Sequence, residues 1–387
     1  MPDEPTELVP LDDYAPPQLA ADDRLRQVWG RWRDALNGAE AADEARPGEG
    51  AFDAVPAERL DRIAPRSGLG YVPAMLDRGL GPWVRGEPGP RVRVVVVPPC
   101  APGPVVADCA RRHGMEILEP PAAAALISDP EPDPPDLNGT GPLVVPDLGR
   151  WFLRHRLGLR HLRGLLDAAA VTDRRVLLGA GGWTWAYLDR VLGAGLVAGD
   201  VSTPSAHDAR ALRDWLVGAA AAADERIRDA TDERDVLDPD RANGGRDDPM
   251  AKLAARARGI PWVAAAVWRD ALRTARPDAD GDAGDRARGD RVQDGEALWL
   301  VPWQAQVLPP TDREGAALLL HAILIHDGLS PDAIERIVPV RAPLPLIAAC
   351  LERDLIVRDG EHLRVRAGAY PSVRQALADA GLSLGEP

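Results

Sequence analysis

Between Arg91 and Gly114 the chain reads RVRVVVVPPCAPGPVVADCARRHG. This stretch constrains the fold more than any other. Five of the six positions from Val92 to Val97 are valine, with none of the polar alternation that a half-exposed strand shows. A near-continuous β-branched run is what a strand buried on both faces requires, and such strands belong to parallel sheets crossed by helices. The prolines and Gly103 that follow cannot extend a central strand, and a helix is expected to open at about Val105. The alternation continues downstream. Further candidate strands are Met115–Leu118, Leu143–Val145 and Arg175–Leu178, with a weaker one near Val197–Val201. Helices are expected at about 105–113, 157–170, 184–193 and 207–223. Alternating strands and helices imply an α/β fold with helices on both faces and the strand ending at Val97 near its centre.

A strand, a tight loop and a helix are also the layout of a phosphate-binding P-loop, G-x-x-x-x-G-K-[ST]. Laid on that pattern, Gly103 takes the second glycine. Pro98 stands at the first glycine, Pro104 at the lysine and Val105 at the Ser/Thr. The chain's single lysine, Lys252, lies far away in sequence. A P-loop works because backbone N–H groups and a helix N-terminus point at phosphate. Proline has no N–H, so Pro98, Pro99, Pro102 and Pro104 remove four donors. The loop keeps the shape of the motif and lacks its donors, its cation and its Mg²⁺-ligating hydroxyl.

The length, 387 residues, allows two or three packed domains. The net charge is −14 and all but one of the 46 basic residues are arginine, which fits a high-GC genome or an adaptation to salt and names no function. Eleven tryptophans against two phenylalanines assign the large aromatic packing to Trp. No apolar run approaches the roughly 20 residues of a spanning helix, and the acidic, Pro-rich N-terminus is unlike a secretory signal. A cytoplasmic location is the default expectation. Cys100, Cys109 and Cys350 are too few and scattered for a disulfide framework or a zinc site. Cys100 and Cys109 read as small core residues.

Four segments are expected: an acidic extension over 1–54 with one amphipathic helix at 23–37, an α/β domain over 55–223, a helical lid with acidic inserts over 224–310, and a winged-helix domain over 311–387. Residues 1–22 read as loosely attached. The inserts at 224–249 and 276–296 read as solvated loops. In the last segment three helices, a hairpin turning at Asp359-Gly360 and a final helix follow one another, which is winged-helix order.

Taken together, 91–387 resembles the P-loop ATPases of the AAA and STAND type, whose order is an ASCE sheet, a helical lid and a winged helix. PLVVPDLGRWFLRH (142–155) resembles their Walker B strand, with Asp147 as the metal-associated acid. Leu148 stands where those families carry a second carboxylate. RRVLLGAGGWTWAYL (174–188) resembles the next strand, with Gly181 and Gly182 in place of a polar sensor. ARGIPWVAAAVWRDAL (257–272) resembles the lid helix of STAND proteins, in which Gly259 and Pro261 would meet nucleotide. The resemblance implies a P-loop NTPase-like parallel sheet with flanking helices, then a lid and a winged helix. It marks Gly103, Asp147, Gly259 and Pro261 as a vestigial nucleotide cleft.

The function expected on these grounds is a non-catalytic regulatory or scaffold protein on a degenerate ATPase module, a pseudo-ATPase whose winged helix contacts another protein. One alternative is a DNA-binding transcriptional regulator, with Arg358, Arg364 and Arg366 on the hairpin touching phosphates. Residues 312–387 carry eight Arg against eleven Asp and Glu, which is the wrong balance for that role. The other alternative is an ATP-binding or ATP-hydrolysing protein with a rearranged site. No cofactor and no metal are expected, and ATP or ADP is disfavoured. Arg154, His155, Arg156, Arg160, His161 and Arg163 read as a solvated face, and His321 and His326 as core or edge residues.

Overall fold

A computed structural model describes residues 7–18, 52–64, 71–223, 225–238, 248–275 and 298–382. The expected helix at 23–37 and the insert at 276–296 lie outside these residues. The chain divides into two units. One comprises Glu4–Ala15, Gly68–Ser205 and Ala305–Pro387, the other Met1–Asp3, Pro16–Ser67 and Ala206–Gln304. The four expected segments are thus grouped differently: 311–387 joins the α/β core, and the helix Ala57–Ile63 joins 206–304.

In chain order the strands are β1 (Leu8–Pro10), β2 (Phe52–Ala54), β3 (Val92–Val97), β4 (Glu116–Ile117), β5 (Leu143–Val145), β6 (Val176–Gly181), β7 (Asp200–Pro204), β8 (Ile227–Asp229), β9 (Leu272–Ala275), β10 (Leu298–Leu300), β11 (Ile356–Asp359) and β12 (His362–Val365). The first unit holds a six-stranded sheet in the order β1-β7-β3-β6-β5-β4. Its five inner and far strands are parallel, and β1 is antiparallel at the edge. One strand, β6, therefore lies between the strand before the Pro-rich loop and the strand before Asp147. That inserted strand defines the ASCE sheet, and the α/β P-loop NTPase-like architecture expected from the sequence is the one observed.

Both faces of the sheet are covered. Val92, Val94, Val96, Val176, Leu178 and Ala180 share a buried cluster with Leu162, Leu165 and Leu188 of the helices Arg160–Val171 and Gly182–Leu192. On the opposite face, a Cβ at Gly179 would lie 3.0 Å from Val106 of the helix Val105–Arg112 and only 2.1 Å from the Pro146 carbonyl oxygen. Glycine there permits the close approach of β5 and β6 on that face.

The N-terminal segment is not loosely attached where it is described. Leu8–Pro10 pairs with Ser202–Pro204. Leu8 fills the notch at Gly79, where a Cβ would sit 2.6 Å from its Cδ1. A proline closes β1, a position that an edge strand tolerates. The C-terminal part has helices Arg313–Ile325, Pro331–Ile337 and Pro343–Glu352, the β11–β12 hairpin and the helix Tyr370–Asp379. Asp312 and Ser330 cap the first two through the N–H groups of Gly315 and Ala333. Trp183 anchors the last helix to the core by donating to the Tyr370 hydroxyl at 3.2 Å.

The second unit contains a four-stranded sheet, β2-β9-β10-β8, beside the helices Ala209–Ala222, Pro249–Arg256 and Pro261–Ala271. The expectation of a solvated loop over 224–249 is corrected in its described part. Ile227–Asp229 pairs in parallel with Leu298–Leu300, and Ile227 and Val236 are buried. Three residues with one apolar side chain among charges carry too little periodicity to be read as a strand. No helix among the described residues is long and apolar enough to cross a membrane.

Candidate functional site

Register brings the candidate residues of the first unit to one edge. Val97 lies opposite Gly181, and Val145 opposite Leu178, so the loop after β3, Asp147 and Gly181 all emerge at the carboxyl ends of the strands. In open α/β sheets this is the edge where ligands bind.

The loop is tightly wound. Cys100 has φ +62° and Gly103 φ +151°, both in the region that favours glycine. The first helical N–H, of Val105, is taken by the Gly103 carbonyl at 3.0 Å. Pro104 occupies the N-cap, without a capping side chain. Pro98 and Pro99 are buried against the core, whereas Pro102 and Pro104 face solvent. Four residues of the loop are prolines, which have no N–H, and one further N–H is bonded internally.

Asp147 follows β5 by two residues and accepts from the Gly149 N–H at 2.8 Å, capping the turn Leu148–Arg150. Leu148 is fully buried in the hydrophobic cluster. Burial, followed by the neighbouring carboxylate of Asp327, pushes Asp147 up to about 7, against the Gly149 N–H, Arg150 and Arg364.

The C-terminal part of the same unit also reaches this edge: sequence reasoning missed Asp327 altogether and gave His326 and Arg364 other roles. The helix Arg313–Ile325 ends in His326, Asp327 (φ +48°) and Gly328 (φ +127°). The His326 imidazole Nδ1 meets the Gly149 carbonyl at 3.2 Å, and its ring packs on Phe152 at 4.5 Å. The Thr184 hydroxyl donates to the Ile325 carbonyl at 2.6 Å. A Cβ at Gly181 would lie 3.7 Å from the Asp327 Cβ. Arg364, on β12, donates to Asp327 at 2.6 Å and to Asp359 at 3.3 Å.

An Asp–Arg ion pair thus stands over the ends of β3, β5 and β6, close enough for Asp327 to raise the Cys100 thiol together with its burial. Asp327 is itself raised, by burial first, with Arg364 opposing. The one sequence signal for this arrangement was the HDG stop at 326–328, an aspartate placed where the chain must turn into a left-handed conformation.

Gly259, Pro261 and the hairpin arginines complete the expected set. Gly259 (φ +74°) and Pro261 belong to the second unit. A Cβ at Gly259 would lie 2.6 Å from the Ala206 Cβ, and its carbonyl accepts from the His207 N–H at 2.8 Å. Pro261 begins the buried helix Pro261–Ala271 at a position where proline is favoured. Of the hairpin arginines, Arg358 is exposed, Arg364 is turned inward to Asp327, and Arg366 is half-buried.

A scan of protein families finds none that matches the chain, and a comparison with curated proteins finds no relative. Among solved structures the chain is similar to the RuvB Holliday junction branch migration motor of Thermotoga maritima, at 19% identity, covering 80% of this chain and 97% of that one with a TM-score of 0.25. It is also similar to the Aeropyrum pernix ORC1 protein in complex with DNA, at 14% identity, covering 86% and 98% with a TM-score of 0.31. The fold assignment rests on the strand order, and no functional statement rests on scores this low.

Proposed function

We propose that this chain is a non-catalytic regulatory or scaffold protein built on a P-loop ATPase-type core, with its C-terminal winged helix serving protein contacts. The observation that carries the reading is the Asp327–Arg364 pair over the strand ends, facing a loop with four prolines and no lysine. A carboxylate at that edge repels a triphosphate, and the cation beside it is already paired. Leu148 supplies no group to orient an attacking water, which phosphoryl transfer to water needs.

Contact with another protein is supported by the exposed apolar side chains Leu344 and Val357 on the winged helix, 56% and 37% accessible. Nucleic acid remains disfavoured, because Arg364 is held by two carboxylates and the segment is acidic. A steady-state ATPase assay on the full chain tests the proposal. Phosphate release at the uncatalysed background is expected. Turnover that vanishes in Asp147→Ala would replace the proposal with a rearranged active site, and Arg364 would then be the cation placed to meet the phosphates.

A further inference from the structure

The helix Val105–Arg112 carries a second cluster, away from the strand ends. Cys109 and His113 are four residues apart, so they share a face one turn apart. Asp77, on the neighbouring helix Tyr71–Val84, comes between them. Its Oδ1 lies 3.0 Å from the His113 Nε2 and 3.9 Å from the Cys109 Sγ, and the three ligand atoms all lie within 4.8 Å of one another. A tetrahedral zinc ion with bonds of about 2.0–2.3 Å holds N and O ligands roughly 3.3 Å apart, and S and O ligands about 3.6 Å apart. Both separations to Asp77 fall within about 0.3 Å of those values, and the Cys109–His113 separation, within 4.8 Å, would have to settle at about 3.6 Å. Small side-chain adjustments would therefore admit the ion.

We propose that Asp77, Cys109 and His113 form a site for a zinc-class divalent cation, with the fourth position left to solvent. The donor set suits such an ion: one thiolate, one imidazole and one carboxylate. Two anionic ligands neutralise the metal's charge. Cys109 is fully buried, while His113 and Asp77 keep 23% and 39% of their side-chain surface, which gives the ion a way in. Binding releases the Cys109 thiol proton to solvent and takes the neutral imidazole through Nε2. Arg112 also donates to Asp77 Oδ1, at 3.1 Å. It competes with the metal for that oxygen and must swing aside, which its exposed position allows. The bound ion would clamp the helix that leaves the Pro-rich loop to the helix before β3.

The test is titration of the reduced full chain with Co²⁺ followed by absorption, with equilibrium dialysis against Zn²⁺ alongside. One equivalent is expected, with a sulfur-to-cobalt charge-transfer band that disappears in Cys109→Ser. Zn²⁺ affinity should fall at least about tenfold in Cys109→Ser and in His113→Asn, and should rise several-fold in Arg112→Gln. The His113 and Arg112 variants keep the test decisive should Cys109→Ser fold poorly. Absence of the charge-transfer band in the wild-type chain would overturn the proposal. Equal Zn²⁺ uptake by His113→Asn, or weaker uptake by Arg112→Gln, would overturn it as well.

Discussion

The two ends of the helix Val105–Arg112 present opposite chemistry. At its N-terminal end the loop carries four prolines, which have no N–H, and a carboxylate–guanidinium pair stands over the strands. At its C-terminal end, lone pairs from Cys109, His113 and Asp77 converge as they do around a cation. The difference teaches that a βα unit keeps its fold through the buried valines of β3 and the apolar face of the helix, independently of what either end binds. Backbone donors are erased by single prolines. A three-ligand site needs only two positions on one helix and one on its neighbour.

The strongest way to break this contrast is to loosen the C-terminal part from the strand ends. Trp183 is almost fully buried, meets His321 edge-on at 5.8 Å and donates to Tyr370. Trp183→Ala is expected to cost about 3–5 kcal/mol in denaturant unfolding. A cost under about 1 kcal/mol would mean that the docking does not depend on this anchor.

A narrower cut is Arg364→Ala, which leaves Asp327 without its partner and is expected to cost about 1–3 kcal/mol. The loss should shrink when Asp327→Ala is added, since coupled neighbours are not additive. Strict additivity in the double-mutant cycle would show that the pair contributes nothing at the strand ends.

Next in size is the pH response of Asp147. Its folded pKa, about 7, is above the unfolded value. The native state therefore holds a proton that the unfolded chain gives up between pH about 4 and 7, and stability from this group falls as pH rises through that window. Asp147→Asn should be more stable than wild type at pH 8, with the advantage gone near pH 4. His321 and His326 work the other way. Burial first, then Arg154 in each case, lower both to about 4, with the Gly149 carbonyl opposing at His326. Their contribution is lost as pH falls from the ordinary histidine range towards 4. Acid unfolding should therefore be steeper in Asp147→Asn than in wild type. Parallel curves would contradict the assignment.

The smallest expected effect is on catalysis. Pro98→Gly, Pro104→Lys and Val105→Thr together restore donors, a charge and a hydroxyl, yet turnover should stay at background because Leu148 offers no group to position water. Turnover in that triple variant would reveal a water-positioning residue elsewhere.

Much of the sheet was legible in the sequence because β5 is fully buried and β3 and β6 are mostly so, and burial writes itself as apolar runs, which Arg93 alone interrupts in β3. The four-stranded sheet was not. β8 and β10 are three residues each, and their pairing is fixed by partners distant in sequence. At the site, the mismatches of Pro98, Pro104 and Leu148 with the resembled motifs could be read directly, since they are differences of residue type. Asp327 and Arg364 could not. Their meeting depends on how the C-terminal helices pack on the core, and no spacing in the chain encodes it. The Asp77–Cys109–His113 cluster was hidden for the same reason: the Cys-x₃-His step was visible, but the third ligand arrives from another helix.

The central proposal is that the strand ends do not hold nucleotide. Isothermal titration of the full chain with ATP and with ADP, each with Mg²⁺, tests it most directly. No saturable heat is expected up to millimolar nucleotide. Binding with a micromolar Kd in the unmutated protein would show that the prolines do not disable the loop, and the account of this edge would be wrong.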